Sequence, residues 1–318
     1  MIMPKLIKKG FALLLSLTLA ATIVACSDDP AGEPKLTDDL LPVFDKTIGI
    51  EETELTKIKG VTITATELTY TNYEAVLGIR IENTSKKSKE IYSETIGYSV
   101  NSVNGYMIED GYLCCEIAAG ETKEEEIGFS YTELFSHGIS KIADIEVGFT
   151  VHENQKSYKT GPLSIKTSAA GDYDYNTDSY LKAIKGKALK NAYGITVDSL
   201  KEKQLYSEGG ISLISEAVMS NKDGEKILML EFESKSDRII YTELSDLTIN
   251  GIVVEGGYTE GGRICEGKRY IMSLRIGRYM DEDEQLRDKK PESISFRIRL
   301  KNDDYDELTQ KKTVSIKF

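Results

Sequence analysis

The sequence predicts an all-β protein of two tandem antiparallel β-sandwiches joined by a linker with one short helix. Three observations predict it: short runs alternate apolar and polar residues, the same order of runs occurs twice, and only one stretch has helical spacing. In ISFRIRL, Ile294, Phe296, Ile298 and Leu300 fall on one face while Ser295, Arg297 and Arg299 fall on the other. IEVGFTV does the same with Ile145, Val147, Phe149 and Val151. Successive side chains of a strand point to opposite faces, so period two is what a half-buried strand demands. About seven such runs per repeat, separated by Gly, Asn and Asp, predict a sandwich with one buried face per sheet.

The N-terminal elements carry an address. Lys5, Lys8 and Lys9 precede an apolar stretch from Phe11 to Ala25, the layout of a secretory signal and too short to span a membrane comfortably. It ends Ile23, Val24, Ala25, Cys26 and passes at once into Ser27, Asp28 and Asp29. This resembles the lipobox of bacterial lipoproteins. The resemblance implies that residues 1–25 are removed as a signal peptide and that Cys26 receives diacylglycerol. It also implies an extracytoplasmic protein, lipid-anchored to the cell membrane. One acyl chain, at about 0.8 kcal/mol per buried CH₂, holds a protein only marginally, whereas two make a stable anchor. Residues 26–47 include three prolines and no apolar periodicity, so they read as an extended tether.

The repeat follows. GVTITATELTY and AVLGIRIENTSKKSKEIYSETIGYSVNSVNG in the first unit face GISLISEAVMS and KILMLEFESKSDRIIYTELSDLTING in the second. CEIAAGETKEEEIGFSY then faces CEGKRYIMSLRI with short gaps, which puts Cys115 and Cys265 at matched positions. A repeat this long is a domain duplication, not a solenoid. The sandwiches are placed at 48–167 and 195–318. Between them, residues 168–194 form the linker, with Leu181, Ile184, Ala188 and Leu189 predicting a helix from about Ser179 to Asn191.

Asn104-Gly105, Cys115-Glu116 and Gly120, matched by Asn250-Gly251, Cys265-Glu266 and Gly267, make the mature chain similar to Gram-positive surface lipoproteins with tandem immunoglobulin-like domains. That resemblance implies an immunoglobulin-like fold and supplies no catalytic residues.

Charge narrows the function. Without residues 1–25 the chain loses three lysines and no acids, leaving 37 cations against 52 acids, a net of −15. Nucleic-acid binding is not expected, because phosphate recognition needs a basic patch. With Cys26 acylated, Cys114, Cys115 and Cys265 remain, and neither unit has the paired cysteines of an antibody domain. Cys115 and Cys265 are expected to be buried packing residues, and the three thiols are not expected to be zinc ligands, since no histidine cluster accompanies them. His137 and His152, the only histidines, lie in neither a GxSxG nor an HExxH context. The remaining metal candidate is DYDYNTDSYLKA, where Asp172, Asp174, Asn176 and Asp178 alternate as in a calcium loop. Thr177 stands where that loop needs glycine and Ala183 where it needs glutamate, so a solvated acidic linker is expected. No metal, cofactor or catalytic residue is expected. The chain reads as a non-enzymatic binding module whose partners are the membrane, through the anchor, and an unidentified protein, glycan or peptide. A wall-polymer hydrolase or a solute-binding receptor is the alternative.

Overall fold

The computed structural model describes residues 44–93, 101–175, 179–186, 190, 194–254, 260–287, 289–302 and 304–318. Cys26 and most of the tether lie outside the described residues, as do Asn176 and Asp178. The first repeat contains β1 (Thr53–Ile58), β2 (Val61–Tyr70), β3 (Glu74–Asn83), β4 (Lys89–Ser93), β5 (Ser102–Val103), β6 (Tyr106–Met107), β7 (Leu113–Ile117) and β8 (Thr122–Ser130). Helix α1 (Tyr131–Ser136) comes next, then β9 (Asp144–Val147), β10 (Phe149–Glu153), β11 (Lys156–Lys159) and β12 (Leu163–Lys166). The linker holds α2 (Ser179–Lys185). The second repeat contains β13 (Thr196–Lys201), β14 (Tyr206–Glu208), β15 (Ile211–Ser220), β16 (Lys226–Ser234), β17 (Ile240–Ile249), β18 (Ile252–Val253), β19 (Glu260–Ile264) and β20 (Arg269–Arg275). It closes with α3 (Ile276–Glu282), β21 (Ser293–Lys301) and β22 (Lys312–Lys317).

Both repeats build the same sandwich. One sheet of the first repeat runs β1-β2-β3-β8, and its counterpart in the second runs β13-β15-β16-β20 with β14 also on β15. The opposing sheet is β18-β17-β21-β22 in the second repeat, with β19 also on β17. In the first repeat it is split into β11-β10-β4-β7 and β12-β9-β5-β6. Thus β17 does the work of β4 and β5, β21 that of β9 and β10, and β22 that of β11 and β12. The pairing of β17 with β21 slips between Ser245 and Thr248, with Asp246 at φ 54°, so the long strand kinks where its counterpart is broken.

The Asn-Gly landmarks have a shared mechanical reason. Asn104 and Gly105 lie at φ 51° and 86°, and Asn250 and Gly251 at 52° and 77°, the paired left-handed backbone of a tight hairpin turn. Each asparagine also clamps the chain entering a later strand. Asn104 Nδ2 donates to Lys141 O at 2.7 Å, and its Oδ1 accepts from the amides of Ala143 and Asp144. Asn250 repeats the set with Lys290 O at 2.9 Å and the amides of Glu292 and Ser293.

The sandwiches are not separate bodies on a linker, as the sequence suggested. β6 pairs in parallel with β20, Tyr106 opposite Arg269, and the Arg269 amide donates to Gly105 O at 2.9 Å. One nine-stranded sheet therefore runs through both repeats. The cause is an apolar outer face on the second repeat: Ala217, Met219, Ile227, Met229 and Ile271 are buried in the core cluster of the first repeat, beside Tyr180, Leu181 and Ile184 of α2. In return Met107 of the first repeat joins the core of the second. Burying a large apolar side chain is worth roughly 1.5–3 kcal/mol, so this junction is a substantial part of the fold. At the matching sheet of the first repeat the strand pairings put Gly78 where Met229 stands and Glu124 where Ile271 stands. Arg80 there is bonded to Glu52 at 2.8 Å and Glu124 at 2.9 Å, so that outer face stays in water.

Two helices were missed by periodicity. α1 and α3 follow β8 and β20 at the same point of each repeat. A six- or seven-residue helix is too short to display a 3.6-residue pattern. α1 is marked instead by its cap, Ser130, whose Oγ accepts from the Glu133 amide at 3.2 Å. α2 ends at Lys185, next to Gly186; Lys190 is again helical, and the other residues of the expected span from Lys187 to Asn191 lie outside the described residues.

Candidate functional site

Strand register fixes which residues of the two repeats correspond. Ser234 and Asn83 make the same backbone bond, to Lys268 O at 2.8 Å and Glu121 O at 2.9 Å respectively. Counting from there aligns Gly267 with Gly120, both left-handed at φ 67° and 76°. Cys265 then corresponds to Ala118, and Cys115 corresponds to Gly262, so the expected cysteine equivalence is corrected by three residues. No deletion is needed. Both thiols are nonetheless buried, Cys114 is exposed, and none of the three is in a disulfide among the described residues.

The first repeat carries a groove of about 560 Å³ along the side where β7 and β8 end their sheets. Glu90 and Tyr92 of β4 and Cys114, Cys115 and Glu116 of β7 form one wall. Ala118, Glu121, Lys123 and Glu125, from the turn and β8, form the other. Glu90 and Glu116 sit directly opposite each other across β4 and β7, as do Tyr92 and Cys114. Like charges directly opposite are destabilising, so this wall is held at a cost of a few tenths to about 1 kcal/mol. The Tyr92 hydroxyl donates to Glu90 Oε2 at 3.2 Å. Its pKa is pushed up to about 12, by burial first and then by Cys114 and Glu90. Lys123 Nζ donates to Glu116 O at 2.5 Å and lies 3.9 Å from Glu121 Oε1.

The thiols and histidines are not assembled for covalent chemistry in this geometry. Burial, and then Glu125, push the Cys115 thiol up to about 12, so it stays protonated where a nucleophile would be thiolate. His152 pairs with Ser157 Oγ at 3.0 Å and packs edge-on against Tyr92. His137 is buried, with Nδ1 2.8 Å from Glu133 O, and burial takes its pKa down to about 4. Its ring lies edge-on to Tyr106 at 5.6 Å, next to the junction of the repeats.

The acidic linker is organised by its tyrosines. Tyr173 and Tyr175 pack edge to face at 4.8 Å, and Lys166 lies 5.4 Å over the Tyr175 ring. Burial raises the pKa of both tyrosine hydroxyls, with Asp144 adding to it at Tyr175. Asp172 and Asp174, on either side of Tyr173, are exposed. Among the described residues, no group of three or more His, Cys, Asp or Glu could hold a metal ion.

Apart from Cys114, Cys115 and Glu116, the groove residues were not singled out from sequence, although a signal was present. ETKEEEIG stands where its counterpart reads KRYIMSLR, so charge replaces apolar residues on one copy of an edge strand.

No family model matches the chain, and no curated protein matches it. Among solved structures it is similar to the YadV chaperone, at 10% identity and a TM-score of 0.21, covering 76% of this chain and 92% of that one. A conserved domain protein from Bacillus anthracis is similar at 12% identity and 0.21, covering 84% and 90%. Red sea bream transglutaminase is similar at 8% identity and 0.20; the match covers 82% of this chain and spans 31% of the transglutaminase. Likenesses of this size carry no information on activity.

Proposed function

We propose that the chain is a lipid-anchored extracytoplasmic binding protein, held to the cell membrane through Cys26 and presenting the groove of its first sandwich to a partner. The observation that carries the location is the run Ile23-Val24-Ala25-Cys26 after a short cationic and apolar leader. The tether ends in a fixed point: Phe44 is buried and stacks on Tyr131 at 4.6 Å and against Phe135 at 5.0 Å. The eighteen residue steps from Cys26 to Phe44 reach at most about 60 Å, so the first repeat works close to the membrane. What supports binding is the groove itself, a concave surface on open strand edges lined by carboxylates and free of a covalent-catalysis pair.

The test is Cys26→Ala, with membrane and culture fractions compared. The parent is expected in the membrane fraction and the variant in the medium or retained as an uncleaved precursor. A variant that is processed at the same position and stays membrane-bound as firmly as the parent would overturn the anchor.

A further inference from the structure

Duplication turns the second repeat into a filled copy of the first. β20 and β8 are equivalent edge strands, and β20 carries β6 as a parallel neighbour. Among the described residues, nothing pairs with the outer side of β8. The equivalence extends to side chains. Met107, on β6, shares a core cluster with Cys265, Tyr270 and Met272. Their counterparts in the first repeat are Ala118, Lys123 and Glu125, and these three line the groove. The groove is thus the place that, in the second repeat, an added strand closes.

We propose that an extended cationic segment of a partner protein adds to β8 as a parallel strand and seats an apolar side chain in this groove. The backbone of an open edge strand supplies hydrogen bonds to any extended chain, and flanking side chains choose among them. Here the chooser is charge. Glu116, Glu121, Glu124, Glu125 and Glu126 crowd the edge against two cations, Lys123 near Glu121 and Arg80 on Glu124. Alternating lysine or arginine side chains on the incoming strand would relieve the repulsion that Glu90 and Glu116 impose on each other. The chain's own counterpart of β6 is β18, whose Val253 is 63% exposed. A second copy offers that strand, but its net charge of −12 sets it against five glutamates.

The proposal rests on the binding reading above and not on the lipid anchor, so its test reads the edge directly. The full chain in detergent is mixed with a labelled, acetylated peptide Lys-Val-Lys-Met-Lys-Val, and with its acidic twin Glu-Val-Glu-Met-Glu-Val. Binding is followed by anisotropy and amide hydrogen exchange. The cationic peptide is expected to bind and to slow exchange in residues 122–130. Glu116→Gln with Glu125→Gln should weaken it by about tenfold, and raised salt should weaken it too. Unchanged thermal melting of that double variant separates lost contact from lost fold. Equal binding of the acidic twin, or binding without protection of 122–130, overturns the proposal. Protection that appears without peptide and grows with protein concentration replaces the partner with a second copy. No binding by either peptide means the glutamates only guard the edge.

Discussion

Arg269 and Glu231 give the sharpest test of how the repeats are joined. Glu231 is 0% exposed, Arg269 27%, and Nη1 lies 3.2 Å from Glu231 Oε1. Ser215 Oγ donates to the other carboxylate oxygen at 2.6 Å. Arg269 also approaches Glu233 at 3.7 Å and Tyr106 OH at 3.5 Å, and its amide begins the inter-repeat pairing. An account based on area makes Glu231 the costlier loss, because it is the more buried. Electrostatics reverses the order. Arg269→Leu removes the guanidinium from a fully buried carboxylate and should cost about 3–5 kcal/mol. Glu231→Leu removes the buried charge itself, and the half-buried arginine can turn to Glu233 and water, so about 1–2 kcal/mol is expected. The double variant should resemble Glu231→Leu alone, so the coupling in a double-mutant cycle equals the Arg269→Leu cost, about 3–5 kcal/mol in magnitude. The assay is urea denaturation of the four proteins at 25 °C, with the difference from the parent followed against pH. An unpaired buried carboxyl has a raised folded-state pKa, so the Arg269→Leu deficit is fully present above that value and shrinks as pH falls through it. Equal single-variant costs, or a pH-independent deficit, would refute the reasoning.

Asn104→Gly and Asn250→Gly keep the left-handed turn but delete the clamp, and each should cost about 1–3 kcal/mol by urea melts, with the buried Asn104 the more sensitive. For His137, a folded pKa near 4 against about 6.5 unfolded means its contribution is complete above pH 6.5 and lost as pH falls toward 4. Neighbouring Glu133 opposes it, since burial followed by Glu109 and Asp110 raises that carboxyl, so its protonation favours the folded state as pH falls. His137→Gln should therefore flatten the acid slope most clearly in a Glu133→Gln background. Millimolar calcium is expected to leave the thermal midpoint unchanged, whereas a real site would add about 2.7 kcal/mol at a hundredfold excess over Kd. A rise of several degrees abolished by Asp174→Asn would make the linker a cation site.

What the sequence made legible was whatever period two records. ISFRIRL became β21 with Ile294, Phe296, Ile298 and Leu300 buried, and IEVGFTV became β9 and β10. The junction was written there as well, in a form easily mistaken for noise. ISEAVMS and KILML lose the alternation kept by their counterparts ITATELTY and AVLGIRIE, and a strand buried on both faces has no reason to alternate. The cysteine register was not legible, because the matched Cys-Glu dipeptides pulled the alignment three residues away from the hairpin that Gly120 and Gly267 anchor. The groove was hidden for a different reason. ETKEEE reads as a solvated loop until β3 is laid beside it, with Arg80 opposite Glu124 and Ile79 opposite Glu125.

A duplicated sandwich that joins head to tail uses one β6-type strand and one β20-type edge, and among the described residues it leaves one of each unpaired in this way at its two ends. Such a contact does not close on itself, so identical copies could in principle continue the series from molecule to molecule. The repeats differ most where that continuation would begin. The free strand, β18, keeps an exposed Val253, but the free edge, β8, carries Glu124, Glu125 and Glu126 where the used edge carries Ile271, Met272 and Ser273. Charge on an open edge is a recognised way to stop strand pairing between like molecules. The same charge admits a strand of opposite sign, so the feature that ends self-assembly is also the one that selects a partner.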